Sequence, residues 1–317
     1  MFDYRPINLE NVVSRIVSKV IANWLKIILP NVISDAQSAF VPNRLITNNT
    51  TVVFEVLHWM RNKRRGKKGQ MAVKLDISKA YDQVEWAFLR KVMLKLGLDE
   101  KWVQLAMETI CTATYSVLIS GEPTGFVTPT RGIKQGDPLS PYLFLLCAEG
   151  LSAMIRKAKE ARNLQGVLSG NGEVCLSHLL FADDSLIFCR ATMEECQRVL
   201  AILEQYEATS GQAINRQKAT LFFSRNTRID VKQHIRNMMG ARIMEDCEKY
   251  LGLPMASGKS KVNTFKDLQK KITRRVMGWK EKLISKAGRE ILIKNVAQTI
   301  LTYSMCIFKF QRPCVIL

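Results

Sequence analysis

Apolar residues recur through the first thirty positions at three- and four-residue intervals: Leu9, Val12, Val13, Ile16, Val17, Val20, Ile21, Trp24, Leu25 and Ile28. That is the period of one helical face. Asn8 stands where a cap is expected, and Pro30 where the helix should stop. Ser34-Asp35-Ala36-Gln37 has the form of a capping box, but the polar, proline-containing stretch after it predicts a loop. A second helical pattern runs from about Thr47 to Arg61, with Val52, Val53, Val56, Leu57 and Met60 inward. The period then changes to two: Met71, Val73, Leu75 and Ile77 alternate with Ala72, Lys74 and Asp76, which predicts a strand. Helical spacing returns from Glu85 to Cys111. Tyr115 to Ser120 and Gly125 to Arg131 flank the turn-rich Gly121-Glu122-Pro123-Thr124, predicting a hairpin. Pro138 to Ala158 reads as a buried helix. Val174 to Phe181 and Ser185 to Cys189 are apolar runs around Ala182-Asp183-Asp184, a second hairpin. Thr192-Met193-Glu194-Glu195 opens a helix that presents Cys196, Val199, Leu200, Leu203 and Tyr206 inward and ends at Gly211. Helices and short strands interleave without regular alternation, so the expected class is α+β.

Composition narrows the possibilities. With 47% hydrophobic residues the chain has enough apolar surface to fold, which excludes intrinsic disorder. No run approaches the ~18 apolar residues of a membrane span, and the N-terminus lacks a secretion-signal layout. An intracellular protein, in nucleus or cytoplasm and without a membrane partner, is the expectation. The eight cysteines show no C-x-x-C spacing and mostly sit in apolar stretches, as small buried hydrophobes do. Three histidines give no zinc pattern.

Charge changes the picture more. The 317 residues hold 47 Lys+Arg against 28 Asp+Glu, a net charge of +19, and a folded chain with that surplus expects a polyanionic partner. The surplus is concentrated. Arg61, Lys63, Arg64, Arg65, Lys67 and Lys68 form one run without an acid, readable as a solvated hairpin tip or as a phosphate contact. Residues 259–294 hold twelve Lys/Arg against three Asp/Glu, and Lys270, Lys271, Arg274 and Arg275 recur there at helical spacings that could follow a duplex backbone.

Two acidic places resist a purely structural reading. Asp76 lies near the end of an apolar strand, and Asp183 and Asp184 are adjacent at an apolar hairpin tip, where their repulsion costs stability. Hard oxygen ligands with no histidine or thiolate beside them favour Mg²⁺. Three carboxylates holding two such ions suit phosphoryl transfer, an arithmetic that a nuclease and a polymerase share.

Longer motifs separate these. Phe181-Ala182-Asp183-Asp184 resembles the catalytic hairpin of reverse transcriptases. Leu75-Asp76-Ile77-Ser78-Lys79-Ala80-Tyr81-Asp82 resembles their first palm motif, and Arg131-Gly132-Ile133-Lys134-Gln135-Gly136-Asp137-Pro138-Leu139-Ser140-Pro141 the motif between. Tyr4-Arg5-Pro6-Ile7-Asn8-Leu9, Gln37-Ser38-Ala39-Phe40-Val41-Pro42, Tyr250-Leu251-Gly252-Leu253-Pro254 and Gly278-Trp279-Lys280-Glu281-Lys282-Leu283 are similar to LINE-type (non-LTR) retrotransposon reverse transcriptases of the kind common in plant genomes.

The resemblance implies a right-hand polymerase fold: fingers and palm over 1–254, with a mainly antiparallel palm sheet, and a helical, basic, partial thumb over 255–317. It implies an RNA-directed DNA polymerase using two Mg²⁺, an RNA template, a DNA primer and deoxynucleoside triphosphates. Asp76 and Asp183 would ligate both metals, Asp184 one, and the Ile77 carbonyl would add an oxygen. Tyr81 would stack under the sugar and exclude a 2′-hydroxyl. Gln135 and Gly136 would pack near the incoming nucleotide and template base. Arg5 would contact the triphosphate and Lys218 protonate the pyrophosphate leaving group. Tyr250, Leu251 and Gly252 would belong to the primer grip.

Departures from the family pattern suggest a fragment. Neither an upstream endonuclease nor a downstream cysteine/histidine knuckle is present, and Asn43 and Leu301 stand where glycine and proline are usual. The ending Cys314-Val315-Ile316-Leu317 formally fits a prenylation box but reads as chance. The alternatives are a catalytically inactive nucleic-acid-binding remnant and a group II intron maturase-like protein.

Overall fold

A computed structural model describes residues 11–66, 68–169, 174–244, 249–254, 266–280 and 284–308. The chain forms two compact units, Met1–Leu45 with Arg61–Ile243, and Ile46–Met60 with Met244–Leu317. The elements in order are α1 (Val12–Val32), α2 (Ile46–Asn62), β1 (Gln70–Leu75), β2 (Ile77–Ser78), α3 (Trp86–Lys95), α4 (Glu100–Cys111), β3 (Tyr115–Ile119) and β4 (Glu122–Val127). There follow α5 (Ser140–Glu160), β5 (Val167–Ser169), β6 (Val174–Leu176), β7 (His178–Phe181), β8 (Asp184–Arg190) and α6 (Met193–Ser210). Then come β9 (Ala213–Ile214), β10 (Thr220–Phe223), α7 (Ile229–Met239), β11 (Arg242–Ile243), β12 (Lys249–Tyr250) and β13 (Leu253–Pro254). The remaining helical segments are Lys266–Lys280, Lys286–Leu292 and Gln298–Met305, the last two joined by the π-helical stretch Ile293–Ala297.

The larger unit is organised by a five-stranded sheet in the order β11-β10-β1-β8-β7, in which only β10 and β11 run parallel. Alternation along β1 sends Met71, Val73 and Leu75 to one face, where they pack with Leu151 and Ile155 of α5 and Val199, Leu203 and Tyr206 of α6. Those helices fix the sheet from below. A second cluster joins Ile21, Leu25 and Leu29 of α1 to Leu89 and Met93 of α3, Val103 and Ala106 of α4, and Leu143 to Cys147 of α5. Burying each such leucine stabilises the fold by roughly 1.5–3 kcal/mol.

Several local expectations are corrected. Asn11 caps α1, its side chain accepting from the Val13 N–H; Asn8 lies outside the described residues. Pro30 sits inside the last turn and does not end the helix, which reaches Val32 because Ile33 N–H still bonds the Leu29 carbonyl. The buried face of α1 is Ser18, Ile21, Ala22, Leu25 and Leu29, while Val12, Val13, Ile16, Val17, Val20 and Trp24 are exposed. Both stripes are apolar, so the period alone could not tell which one packs. The region Glu85 to Cys111 is two helices, interrupted at Gly97, which has φ +84°, and restarted by Asp99 accepting from Lys101 and Trp102 N–H at 3.0 and 3.2 Å. The turn of the β3–β4 hairpin is only Ser120-Gly121, and both strands are largely exposed. Ser177 separates β6 from β7, so that β6 pairs with β5 and β7 with β8. Thr192 caps α6 as expected, but Glu195 turns its carboxylate to the Arg190 and Gln165 N–H groups rather than back to the cap.

In the smaller unit β12 and β13 form a hairpin closed by Leu251-Gly252, both with positive φ. Tyr250 is buried there and donates its hydroxyl to Asn49 at 2.8 Å; Tyr303 donates to the Leu251 carbonyl at 3.0 Å. No helix among the described residues is long and apolar enough to cross a membrane. Of the described cysteines Cys147, Cys189 and Cys196 are buried, whereas Cys175 and Cys306 are exposed.

Candidate active site

The antiparallel pairing of β1 with β8 ends at Leu75 opposite Ser185, which brings Asp76, the next residue after β1, to the end of the sheet that carries Asp184. Strand β7 turns into β8 with Phe181 opposite Asp184, leaving only Ala182 and Asp183 in the turn. Such a tight turn forces a positive φ, and Ala182 takes it at +52°. Gln37 holds this strained tip: its Oε1 accepts the Ala182 N–H at 3.1 Å and the Ala39 N–H at 2.9 Å. The 36–38 backbone is laid alongside β7, with Leu180 N–H on the Ala36 carbonyl at 2.7 Å and Ser38 N–H on the Leu180 carbonyl at 3.1 Å.

Burial raises the Asp184 carboxyl above its ordinary pKa; Lys74 opposes that shift, and the charges of Asp183 and Asp76 add to it. The three acids are therefore electrostatic neighbours. Lys74 Nζ stands 3.8 Å from Asp184 Oδ1 and Lys218 Nζ 4.0 Å from Asp76 Oδ2. Lys218 is brought there by the turn after β9: Asn215 N–H takes the Asp76 carbonyl at 2.8 Å, and Asn215 Oδ1 accepts the Lys218 N–H at 3.1 Å. Ile77 pairs with Ile214 in the β2–β9 ladder beside it.

Tyr81 stacks on Phe144, with ring centroids 5.2 Å apart and planes 9° from parallel. Its hydroxyl pKa is pushed up to about 12, first by burial and then by the charge of Asp183, so the ring sits within electrostatic reach of the hairpin tip. The 131–136 segment is stitched to the turn that carries Tyr81. Ile133 N–H bonds the Tyr81 carbonyl at 2.9 Å, Gly132 N–H the Val84 carbonyl at 2.8 Å, and Trp86 Nε1 donates to the Gly132 carbonyl at 2.7 Å. Gly132 has φ +90°, and a Cβ on it would lie 2.8 Å from the Asp82 carbonyl oxygen, so only glycine fits. Gln135 Nε2 donates to Asp82 Oδ1 at 3.0 Å, and Gly136 also has positive φ, at +92°.

The structure thus gathers Asp76, Asp183, Asp184, Tyr81 and Lys218 around one end of the sheet, with Gln135 and Gly136 on the segment latched to Tyr81. Arg5 and Lys67 lie outside the described residues. Arg61, Lys63, Arg64, Arg65 and Lys68 precede the opposite end of β1. That strand spans about 17–20 Å, so the run is not beside the carboxylates; nor is it a hairpin tip. Lys270, Lys271, Arg274 and Arg275 are exposed on their helix, around the buried Ile272. Tyr250 is a packing residue whose side chain is not available to a primer; the Leu251-Gly252 turn is what its hairpin presents.

Residues that pattern reading missed are the supports. Lys74 was legible from alternation, two positions before Asp76. Arg44 was not: its guanidinium donates to the carbonyls of Ser34, Gln37 and Ile33, at 2.5, 2.7 and 3.0 Å, and so shapes the loop that carries Gln37. Asn43 before it has φ +65°, the left-handed conformation that glycine prefers and asparagine tolerates, which accounts for that departure from the family pattern.

The donor chemistry fits a hard divalent cation: oxygen-only ligands, partly exposed, with carboxylate charges that repel one another. Among the described residues no three acidic, histidine or cysteine side chains converge closely enough to share one ion. Asp76 and Asp184 keep 48% and 38% of their side-chain surface exposed, each beside a lysine amine.

Comparison with known proteins agrees with this geometry. The family model described as reverse transcriptase (RNA-dependent DNA polymerase) matches residues 1–255. The chain is 26% identical over 308 residues to an uncharacterized 149 kDa protein of transposon TX1 from Xenopus laevis, covering 96% of this chain and 23% of that protein. It is 50% identical over 76 residues to an uncharacterized mitochondrial protein of Arabidopsis thaliana, covering 24% of this chain and 62% of that one. Telomerase from Candida tropicalis, solved with a fragment of telomeric RNA, matches 83% of this chain and 41% of its own, at 12% identity and a TM-score of 0.50, a likeness of fold. The chain spans less than two thirds of each of these proteins. Matched over four fifths of its length, it belongs to the reverse transcriptase family and has the right-hand polymerase fold, with relatives among non-LTR retrotransposon proteins.

Proposed function

We propose that this chain is the polymerase core of a non-LTR retrotransposon protein and adds deoxynucleotides to a primer 3′-hydroxyl on an RNA template. The observation that carries the reading is the meeting of Asp76 with the Asp183–Asp184 hairpin tip at one end of the sheet, beside Tyr81. On this reading 1–254 acts as fingers and palm and 255–317 as a partial thumb.

Two Mg²⁺ ions held by Asp76, Asp183, Asp184 and the Ile77 carbonyl would activate the attacking hydroxyl and stabilise the leaving oxygen. The chain's own groups do the rest. Tyr81, fixed against Phe144, fills the space beneath the sugar and leaves no room for a 2′-hydroxyl. The segment with Gln135 and Gly136 backs the base pair being formed, held in register by its bonds to the Tyr81 turn. Lys218 would give a proton to the pyrophosphate oxygen as the bond breaks, a role supported by its position beside Asp76. Lys74 opposes the burial that raises the Asp184 carboxyl, and Gln37 holds the turn that carries Asp183. Arg5 would meet the triphosphate.

Primer extension on primed RNA by the whole chain, with and without chelation of Mg²⁺, tests the reading. Template-dependent, Mg²⁺-dependent extension with deoxynucleotides is expected. Tight binding of the primed RNA without extension would favour an inactive remnant.

A further inference from the structure

At the end of the palm sheet away from the carboxylates, segments far apart in sequence enclose an open cleft of about 550 Å³. It is lined by Lys63 and Lys68 from the basic run, Lys159 from the end of α5, Arg162 from the turn after it, and Arg190 from the end of β8. Five lining side chains are cationic and none is acidic. Arg190 lies opposite Gln70, five ladder steps from the Leu75–Ser185 pair that adjoins the active site, about 17 Å at ~3.4 Å per residue.

Two of the contributing segments are pinned by hydrogen bonds. Asn226 Nδ2 donates to the carbonyls of Arg65, Gly66 and Lys68 at 3.3, 3.0 and 3.2 Å, and its N–H takes the Lys63 carbonyl at 3.1 Å. The backbone at Lys63, Arg65, Gly66 and Lys68 is thereby tied to Asn226, which follows β10. Lys159 is anchored on the Cys175 carbonyl at 2.9 Å. Neither Glu194 nor Glu195 lines the cleft: the buried Glu195 carboxylate faces backbone donors, and the exposed Glu194 is felt by Lys68 through its charge. Crowding is felt at Lys63, whose amine is lowered below the usual lysine pKa by burial and then by Arg190. Gathering like charges in a cleft costs stability in a purely structural role.

We infer that this cleft is a second nucleic-acid site, remote from the polymerase centre, which takes the phosphodiester backbone of single-stranded RNA. Five cations spread around an open cleft exceed what one phosphate group neutralises and suit several phosphates in succession. No aromatic side chain lines the cleft for a base to stack on, and its five cations outnumber its two glutamines, Gln70 and Gln165, so the contact is dominated by charge.

The test compares the full chain carrying Lys159→Gln with Arg162→Gln against the charge-keeping pair Lys159→Arg with Arg162→Lys. Fluorescence anisotropy with a short unstructured RNA is measured over a range of salt concentrations. Losing two phosphate contacts should make the slope of log affinity against log salt shallower by about 1.4 and weaken binding by about tenfold. The charge-keeping pair should match the wild type. Unchanged slope and affinity in the glutamine pair would overturn the proposal, as would an equal loss in the charge-keeping pair, which would mark a packing effect. Calorimetry with inorganic phosphate separates sources: phosphate binding with an unchanged RNA slope would mean a small-anion pocket and would also overturn it.

Discussion

The side-chain oxygen of Gln37 accepts the backbone N–H of Ala182 at 3.1 Å, joining an early loop to the turn that carries Asp183. Gln37 is buried, and the same oxygen also holds Ala39. Gln37→Leu removes the acceptor and strands two N–H groups, a loss of about 1–3 kcal/mol. We expect lower denaturant midpoints and primer extension reduced by more than the stability loss alone explains, with Gln37→Glu retaining more of both. Equal activity per folded molecule in the leucine variant would show that the turn is held by other contacts.

Lys74 offsets the burial that raises the Asp184 carboxyl. Lys74→Met should therefore move the acid limb of the pH–activity profile to higher pH, while Lys74→Arg leaves it near the wild-type position. A profile that falls in amplitude without moving would assign Lys74 to packing instead.

Tyr81 lies flat on Phe144 and within reach of the Asp183 charge. Tyr81→Ala should reduce the preference for deoxynucleotides over ribonucleotides by at least about tenfold, since the discrimination is steric; Tyr81→Phe should keep it. The measurement is the ratio of kcat/KM for the two nucleotide classes.

His178, on β7, is buried between the hydroxyls of Ser152 and Ser177 at 2.8 and 3.0 Å. Burial, with help from Arg156 and Lys159, lowers its pKa from 6.5 to about 4. The unfolded chain then binds more protons than the folded one between those values, so stability falls as pH drops from 6.5 toward 4. The loss amounts to a few kcal/mol. His178→Asn should flatten the dependence of unfolding free energy on pH in that window; an unchanged slope would place the acid sensitivity elsewhere.

How much the sequence disclosed follows from what each feature depends on. The hairpin with Asp183 and Asp184, the strand leading to Asp76 and the cap at Thr192 are local, and their periods and turn residues announce them. The packed stripe of α1 was not legible, because two adjacent stripes are equally apolar and the choice is made by neighbours. Arg44 was hidden because its partners are backbone carbonyls, which carry no sequence signal. The basic cleft was half visible: the run after α2 is conspicuous, but Lys159, Arg162 and Arg190 join it only through the meeting of strand and helix ends. Lys218 stood alone in sequence and reached Asp76 through the Asn215 turn.

The most direct measurement of the central claim is primer extension on primed RNA by Asp183→Asn, with binding of the same substrate measured in parallel. The substitution keeps the shape of the side chain and removes its charge. We predict extension reduced by about a hundredfold or more, since even indirect supports of a metal site cost 10–100-fold, while the RNA still binds. Extension at the wild-type rate in this variant would contradict the account.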